Sequence, residues 1–320
     1  MSLEAGIEMI RLFPLLGVLL YESLFWFTGK FRPDHILVGV CLLAVFYLGS
    51  HLQRVRQFAF PFLLVGVVYD TQRFYADLIR GTIHVAQPYL FDKAFFGITT
   101  PRGILTPNEW WQLHLHPALD LLSGFFYLNF ISLFVLIAAY FCFGLSRNVN
   151  TKLPAHQVHE ESMRMPWAFF WLNVLGYSTY YWYAAAPPWY VAEHGLGPAD
   201  LQAHASAAGA IRFDQLMGTR FFSGMYGRAA DVFGAIPSLH VAYPLLAVYY
   251  AFRFGSLRVS TIVFYLIMCF SAIYLNHHYV LDILWGSVYA LGIGRLTNVA
   301  YELRKSSEHR INSLLAPDLQ

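Results

Sequence analysis

The chain has 320 residues, of which 57% are hydrophobic and only 12% are charged, with a formal net charge of +2. Soluble proteins average about 25% charged residues. This composition, together with a mean hydropathy of +0.47, excludes an ordinary soluble domain and indicates one polytopic membrane domain. The small net charge and the scatter of Lys and Arg exclude nucleic acid as a partner.

Apolar runs predict the membrane-spanning helices. Each run is close to the ~20 residues that a helix needs to cross the hydrocarbon core of a bilayer. The first run is expected to stay in the mature protein, because Glu4 and Glu8 precede it and no small-residue cleavage site follows it. The sequence therefore predicts an all-α fold, a polytopic helix bundle with about eight spans, from runs at 12–29, 35–52, 57–72, 120–145, 166–187, 238–255, 259–275 and 278–298.

Two longer segments, 73–119 and 188–237, interrupt these runs and are too apolar and aromatic for disordered linkers. Basic residues near span ends indicate orientation. If 188–237 lies outside, both termini and the short connections are cytoplasmic. The basic residues then on the cytoplasmic side are Arg54, Arg56, Arg147, Lys152, Arg164, Arg253, Arg258, Arg304, Lys305 and Arg310.

The start of the last predicted span carries a candidate nucleophile. His278 and Asp282 are four residues apart, so on a helix they share one face. A carboxylate in that position accepts the proton of one imidazole nitrogen and leaves the other nitrogen free as a nucleophile. Histidine and aspartate are costly in a membrane helix and usually mark function.

A second stretch, Pro237-Ser238-Leu239-His240, opens another span. Its backbone N–H groups and the Ser238 hydroxyl are suited to hold phosphate oxygens at the positive end of a helix. His240 is then placed to protonate the departing oxygen as a general acid. By the predicted topology, this stretch and His278 lie at the same membrane face, where two histidines and one carboxylate meet.

Other histidines and the cysteines have simpler explanations. A lone histidine near a span end is more often an interfacial residue, and only the pairing of two complementary stretches favours catalysis. The stretch His114-Leu115-His116 is interpreted as interfacial rather than metal-binding, because no acid or cysteine stands at ligand spacing. No metal and no cofactor are expected. The cysteines all lie in apolar runs and are expected to be buried, at Cys41, Cys142 and Cys269.

Pro-Ser-Leu-His followed some forty residues later by His-x-x-x-Asp resembles the type-2 phosphatidic acid phosphatase and haloperoxidase superfamily. The resemblance narrows to the inositol phosphorylceramide synthase branch over about 180–290. The motifs that carry it, in the order of that branch, are Ala186-Pro187-Pro188-Trp189-Tyr190, Gly209-Ala210-Ile211-Arg212-Phe213-Asp214-Gln215-Leu216-Met217-Gly218, Phe233-Gly234-Ala235-Ile236-Pro237-Ser238-Leu239-His240 and Tyr274-Leu275-Asn276-His277-His278-Tyr279-Val280-Leu281-Asp282.

The resemblance implies a six-helix catalytic core and a phosphohistidine formed on His278. It also implies that Asp282 orients this histidine, that His240 protonates the leaving group and later activates the acceptor, and that no metal takes part. Ser238, His277 and Trp189 are further candidates for contacting the substrate.

The sequence departs from the superfamily at its arginines. Ala272 stands where the superfamily has an arginine six residues before the nucleophile, and Lys30-Phe31-Arg32-Pro33 has the wrong spacing for the first motif. A phosphate still needs a counter-charge. Arg212 is the preferred candidate because it lies in a family-like block, and the remaining candidates are Arg220, Arg228, Arg73 and Arg80.

Water resolves a phosphohistidine in a phosphatase, and an alcohol resolves it in a transferase. Transfer requires that water is excluded and that a second lipid is positioned. Segment 188–237, apolar and bounded by Pro187-Pro188, is interpreted as a lid. The sequence therefore predicts a membrane lipid phosphotransferase that moves a phospho-headgroup, most simply phosphoinositol from phosphatidylinositol, to a ceramide-like lipid alcohol.

Two alternatives stay open. One is a phosphatase acting on phosphatidate or polyprenyl diphosphate. The other is a transporter with a histidine proton relay, which predicts charges at mid-membrane rather than at span ends. The predicted organisation is a two-span region at 1–55, a phosphatidic acid phosphatase-like catalytic membrane core at 56–300 and a cytoplasmic tail at 301–320. The active site is expected on the periplasmic or lumenal face.

Overall fold

A computed structural model describes residues 3–47, 52–101, 103–144, 160–227 and 231–315. Helices dominate these residues, which confirms the predicted all-α class. The long helices are α1 Leu3–Phe27, α2 Pro33–Tyr47, α3 Gln53–Ile79, α6 Pro117–Cys142, α7 Arg164–Trp182, α11 Leu239–Phe254, α12 Arg258–Tyr274 and α13 Val280–Leu315. The short helices are α4 Ala86–Phe96, α5 Pro107–Gln112, α8 Pro188–His194, α9 Ile211–Met217 and α10 Phe221–Tyr226.

The long helices fall on the eight apolar runs. Only α6 among the described helices combines the length and apolarity that a membrane crossing needs. Leu12–Phe27, Pro33–Tyr47 and Arg258–Tyr274 are apolar but shorter. The number of spans therefore stays a prediction.

Two compact units divide the chain at Thr71 and Gln72. In the first unit, the carboxylate of Asp70 accepts hydrogen bonds from Arg32 at 3.1 Å and from Tyr21 at 3.4 Å. The His35 ring lies fully buried beside Phe25. The two units are defined by how compactly their residues pack. The boundaries predicted at 55 and 300 separate a two-span region, a catalytic core and a tail, and they stay predictions.

The second unit is built around α11. This helix packs against α6, α7, α12 and α13. Ala242, Ala247 and Ala251 are completely buried on it. Small side chains let neighbouring helices approach closely. Because α11 begins at Leu239, this packing places His240 at one end of the bundle.

The described residues of segment 73–119 form helices and a short hairpin. Strands β1 Ile98–Thr100 and β2 Gly103–Leu105 form an antiparallel hairpin between α4 and α5. Helix α5 starts with a capping box, in which the Thr106 hydroxyl accepts from Glu109 N and the Glu109 carboxylate accepts from Thr106 N. These bonds satisfy two backbone donors that an open helix end leaves unpaired.

The described residues of segment 188–237 combine short helices with extended chain. His84, Ala185 and Gly234 form consecutive parallel bridges, with Ala185 in the middle. The central residue donates its N–H to Phe233 O at 2.8 Å, and Ala235 N donates back to Ala185 O at 3.3 Å. This pairing anchors the chain immediately before the Pro237-Ser238-Leu239-His240 stretch.

Candidate active site

His278 lies just ahead of α13 rather than inside it. The chain leaves α12 at Tyr274 and turns at Asn276, which has a φ of +62°. The backbone N–H groups of His277 and His278 then both donate to Ala272 O at 3.1 Å. The predicted span began at 278, whereas the helix begins at Val280. The difference arises because the N–H groups of Val280 and Leu281, which a longer helix would bond to the carbonyls four residues earlier, donate to Asp92 instead.

The His278–Asp282 contact nevertheless forms. The Nδ1 atom of His278 lies 3.3 Å from Oδ2 of Asp282 and 3.0 Å from the carbonyl oxygen of Ala235. A carbonyl oxygen only accepts hydrogen bonds. Nδ1 of His278 therefore carries a proton, and in the neutral ring the Nε2 atom keeps its lone pair. This is the protonation pattern of an imidazole nucleophile.

His240 faces that lone pair. Its Nδ1 atom lies 3.1 Å from Nε2 of His278. Because Nε2 accepts, the proton between the two rings belongs to His240 Nδ1. The structure thus brings together the three residues that the sequence predicted at one membrane face, with a donor from His240 aimed at Nε2 of His278.

Stacked aromatic rings hold His240 in place. Its ring stacks on Tyr127 with centroids 4.2 Å apart, and Phe130 approaches it at 4.4 Å. Tyr127 also stacks on His277 at 5.2 Å, and His277 stacks on Tyr226 at 4.8 Å. His277 thus belongs to this stack, and its Nε2 atom lies 3.2 Å from Ala207 O.

Asp282 connects the two stretches. Its side chain is fully buried, and its Oδ2 atom accepts from Tyr279 N at 2.8 Å. Its backbone oxygen accepts from Ser238 N at 3.0 Å. A Cβ atom at Gly286, one turn further along, would lie 2.4 Å from Ser238 O. The first turns of α13 therefore touch the backbone of the Ser238 loop directly, which fixes the distance between the two histidines.

Asp92 caps α13 from a distant part of the chain. This residue of α4 is fully buried, and its carboxylate accepts from Val280 N at 2.7 Å and Leu281 N at 3.0 Å. A carboxylate at a helix N-terminus satisfies orphan donors and meets the positive end of the helix dipole. Burial raises the pKa of Asp92 to about 6, although the two N–H donors oppose the shift.

Asn108 binds the connection between α12 and α13, residues 275–279, which carries His278. Its amide Nδ2 donates to Ile273 O and to His278 O, both at 3.0 Å. Sequence reasoning missed Asp92 and Asn108, because each is separated from its partners by more than 160 residues. The sequence did offer one indication of a role for Asp92, since it is the single acidic residue of the largely apolar segment Ala86–Phe96.

Ser238 is less open than the sequence suggested. Its side chain is fully buried, and within the described part of the chain its hydroxyl has no hydrogen-bond partner. Its N–H is already bonded to Asp282 O. A phosphate-binding role for this residue stays a prediction.

Arg212 is tethered rather than free. Its Nε atom donates to Asp120 Oδ1 at 2.5 Å, and its Nη atoms donate to Gln112 at 3.2 Å and to Tyr274 O at 3.3 Å. Tyr274 also donates its hydroxyl to Asp120 at 3.0 Å. The ion pair neutralises Arg212 and leaves two of its five N–H donors for other partners.

The other candidate arginines are dispersed. Arg80 pairs with Asp231 at 2.9 Å. Arg220 is exposed just before α10, and Arg73 is half-buried on α3. Arg228 lies outside the described residues, as do Arg147 and Lys152 of the predicted cytoplasmic connections. Among the described residues, no group of three or more His, Cys, Asp or Glu side chains is arranged to hold a metal ion.

Trp189 lies at the wall of an open cavity. The Trp189 side chain is almost fully buried. The backbone N–H of Trp189 donates to Asn276 O at 3.0 Å. Arg212 and Tyr226 line the same cavity. Of the residues expected to contact substrate, these geometries associate Trp189 and Arg212 with one surface, while the roles themselves stay predictions.

Fold and motifs together define a class of protein. Residues 104–296, more than half of the chain, match the PAP2 superfamily, so the chain belongs to the PAP2 superfamily. A phosphoinositol dihydroceramide synthase of Bacteroides thetaiotaomicron is 32% identical over 264 residues, which cover 81% of this chain and 82% of that protein.

Fungal proteins match a shorter part. An inositol phosphorylceramide synthase of Candida albicans is 32% identical over 44% of this chain and 30% of its own length. The inositol phosphorylceramide synthase catalytic subunit of Saccharomyces cerevisiae is 31% identical over 41% of this chain and 33% of its own length. These relatives confirm the inositol phosphorylceramide synthase-like branch that the motifs indicated. No solved structure matches the chain.

Proposed function

We propose that this protein is a membrane lipid phosphotransferase that moves phosphoinositol from phosphatidylinositol to the primary hydroxyl of a ceramide-like lipid. The names of the relatives, phosphoinositol dihydroceramide synthase and inositol phosphorylceramide synthase, support the donor headgroup and the acceptor class. The contact of 3.1 Å between His278 Nε2 and His240 Nδ1 is the observation that carries the mechanism.

In the first half-reaction, the lone pair of His278 Nε2 attacks the phosphorus atom of the donor. A bond forms between nitrogen and phosphorus, and the bond between phosphorus and the glycerol oxygen breaks. His240 Nδ1 gives its proton to that oxygen, and diacylglycerol leaves. Asp282 and Ala235 O stabilise the positive charge that develops on His278, because both accept from its Nδ1–H.

In the second half-reaction, His240 accepts the proton of the incoming lipid hydroxyl. The resulting oxygen nucleophile attacks phosphorus, and the bond between nitrogen and phosphorus breaks. His278 recovers its lone pair and His240 recovers its proton, so both residues end as they began. The proposal assigns no step to a metal ion.

The proposed setting is a bilayer, with the site on the periplasmic or lumenal face and both termini cytoplasmic. Large apolar side chains on the bundle surface support a lipid environment. Val259 on α12 and Leu296 on α13 are 75% and 62% exposed. Apolar surface of this kind is stable against acyl chains but costly against water.

The test uses the purified full-length protein in mixed micelles. Phosphatidylinositol labelled with ³²P at the phosphate should yield labelled inositol phosphoryldihydroceramide and unlabelled diacylglycerol in repeated turnover only when dihydroceramide is present. An alkaline detergent quench should trap an alkali-stable, acid-labile labelled phosphoenzyme in wild type and none in His278→Ala. Release of free inositol phosphate without a lipid product would overturn transfer in favour of hydrolysis. Transfer without any labelled protein would overturn the phosphohistidine.

A further inference from the structure

An open cavity of about 630 Å³ lies beside the connection between α12 and α13 that carries His277 and His278. Residues from α5, α8, α9 and α10 contribute to its wall, together with the chain between 205 and 209. Asn276, two residues before His278, also lines it. The cavity therefore shares a wall with the loop that carries the candidate nucleophile.

Asn276 is unusual in conformation and in hydrogen bonding. Its φ of +62° lies in the left-handed region, which costs energy for residues other than glycine. Its backbone oxygen is held by Trp189 N. Within the described chain its side-chain amide makes no hydrogen bond, although the residue is only 9% exposed. Both the donor and the acceptor of this amide are available to a ligand.

Two further residues of the cavity wall, Glu193 and Arg212, carry polar groups. Glu193 accepts a hydrogen bond from Ser206 at 3.2 Å through one carboxylate oxygen, and its second oxygen has no partner among the described residues. Arg212 contributes donors, but its charge is balanced by Asp120. A wall with amide, carboxylate and neutralised guanidinium groups favours a neutral molecule with many hydroxyls over an acyl chain or a second phosphate.

An aromatic stack connects the cavity with the histidine pair. Tyr226 lines the cavity and stacks on His277, which stacks on Tyr127, and Tyr127 stacks on His240. A ligand that contacts Tyr226 and Asn276 therefore touches the two structures that position His240 and His278. A headgroup in the cavity would orient its phosphate relative to the pair.

We propose that this cavity receives the polyol headgroup of the donor lipid, and that Asn276 and Glu193 select it by hydrogen-bonding ring hydroxyls. The proposal rests on the proposed function, since it concerns the donor of that reaction. It adds the location of the headgroup and two specificity-determining residues to which the motifs assigned no role.

The experiment measures KM for phosphatidylinositol and for dihydroceramide in Asn276→Gly and Glu193→Gln. Glycine adopts positive φ without strain, so Asn276→Gly removes the amide and keeps the turn. Loss of one or two hydrogen bonds should raise KM for phosphatidylinositol about fivefold to tenfold in each variant and leave KM for dihydroceramide unchanged. Gln215→Ala, an exposed residue of α9 outside the cavity, should match wild type.

Soluble glycerophosphoinositol provides a second readout that needs no turnover. It should bind His278→Ala, and the double variants that add Asn276→Gly or Glu193→Gln should bind it about fivefold more weakly. Unchanged donor KM and unchanged binding in both variants, with wild-type transfer intact, would overturn the cavity assignment alone. If wild type transfers no phosphoinositol but transfers another headgroup, the proposed function fails instead, and the two failures are distinguishable.

Discussion

The Nε2 atom of His278 and the Nδ1 atom of His240 are 3.1 Å apart, within hydrogen-bond distance. A phosphorus atom does not fit between two nitrogens at that separation. In the proposed mechanism the rings therefore move apart when the donor binds, and the donor phosphate replaces His240 as the partner of His278. The proton that His240 now directs at nitrogen then meets a phosphate ester oxygen.

We predict a leaving-group signature for His240→Ala. General acid catalysis contributes about 10²–10⁴-fold, so turnover of phosphatidylinositol should fall by that range. A 4-nitrophenyl ester of inositol phosphate has a leaving group that needs no proton. With this donor, the rate of phosphoenzyme formation in His240→Ala should return most of the way to the wild-type rate. His278→Ala should recover none. His114→Gln, exposed and outside the site, is the matched control. Equal loss with both donors in His240→Ala would contradict the acid role.

Asp282→Asn should disturb the protonation of His278 without disturbing donor binding. The amide nitrogen can donate to Nδ1, which favours the ring form whose Nε2 carries the proton and is no nucleophile. We expect single-turnover phosphoenzyme formation to fall by about 10³-fold, with donor KM within about twofold of wild type. Asp200→Asn on the surface serves as control. A loss smaller than about tenfold would show that Asp282 does not set the ring form.

The pKa of about 6 at Asp92 predicts a pH dependence of stability. It lies above the value of 3.8 for an unperturbed carboxyl, so the folded protein keeps a proton that the unfolded chain has lost. The contribution of Asp92 to the unfolding free energy is fully present below about pH 4. It declines as pH rises to about 6, by on the order of 3 kcal/mol. Thermal unfolding in micelles should show a shallower slope over this interval in Asp92→Asn. Identical slopes would refute the shift.

Asp92 also predicts a kinetic effect, because it caps the helix that carries Asp282. Asp92→Ala leaves the N–H groups of Val280 and Leu281 without their acceptor, which costs about 1–2 kcal/mol. We expect kcat to fall about tenfold while donor KM stays unchanged, since the cavity wall is untouched. Asp92→Glu should restore part of the rate. A change confined to KM would argue against a positioning role.

Gly286→Ala should separate the two histidines. The added methyl group would lie 2.4 Å from Ser238 O, a backbone atom that cannot rotate away. We expect a loss of about 1–3 kcal/mol in stability and at least a tenfold drop in kcat. Gly292→Ala on the same helix meets nothing within 4 Å and should be neutral or slightly stabilising. Full activity in Gly286→Ala would mean that this contact does not set the site.

Arg212 and Asp120 offer a test of the residue that the sequence favoured for the phosphate. If the ion pair is its main role, Arg212→Gln and Asp120→Asn should each destabilise the protein, and the double variant should lose less than their sum by about 1 kcal/mol or more. A direct contact between Arg212 and the donor phosphate predicts a different result. Arg212→Gln would then raise donor KM far more than Asp120→Asn, with little coupling in unfolding measured by the double-mutant cycle.

The helix positions and the two histidines that the structure brings together could be predicted from the sequence. Apolar runs mark where helices form, because backbone groups in an apolar setting must be satisfied locally. His240, His278 and Asp282 could be grouped because each stands in a short motif at a helix start, and helix order places those starts at one end of the bundle. Local chemistry and connectivity were sufficient for both inferences.

Contacts between segments far apart in the chain could not be predicted from the sequence. Asp92 and Asn108 sit on α4 and α5, which look like an aromatic connection in the sequence, and only packing brings them to the His278 loop. Arg212 had the charge for phosphate, but its partner Asp120 lies 92 residues away.

The amino-acid sequence by itself thus determined the helical class and the family, and it indicated the candidate reacting groups, because these depend on composition and on short spacings. The tertiary structure decided which nitrogen of His278 carries the proton, what caps α13 and where the open cavity beside Asn276 lies. Those properties depend on distances of about 3 Å between side chains and backbone atoms far apart in the chain, and such distances exist only once the helices have packed.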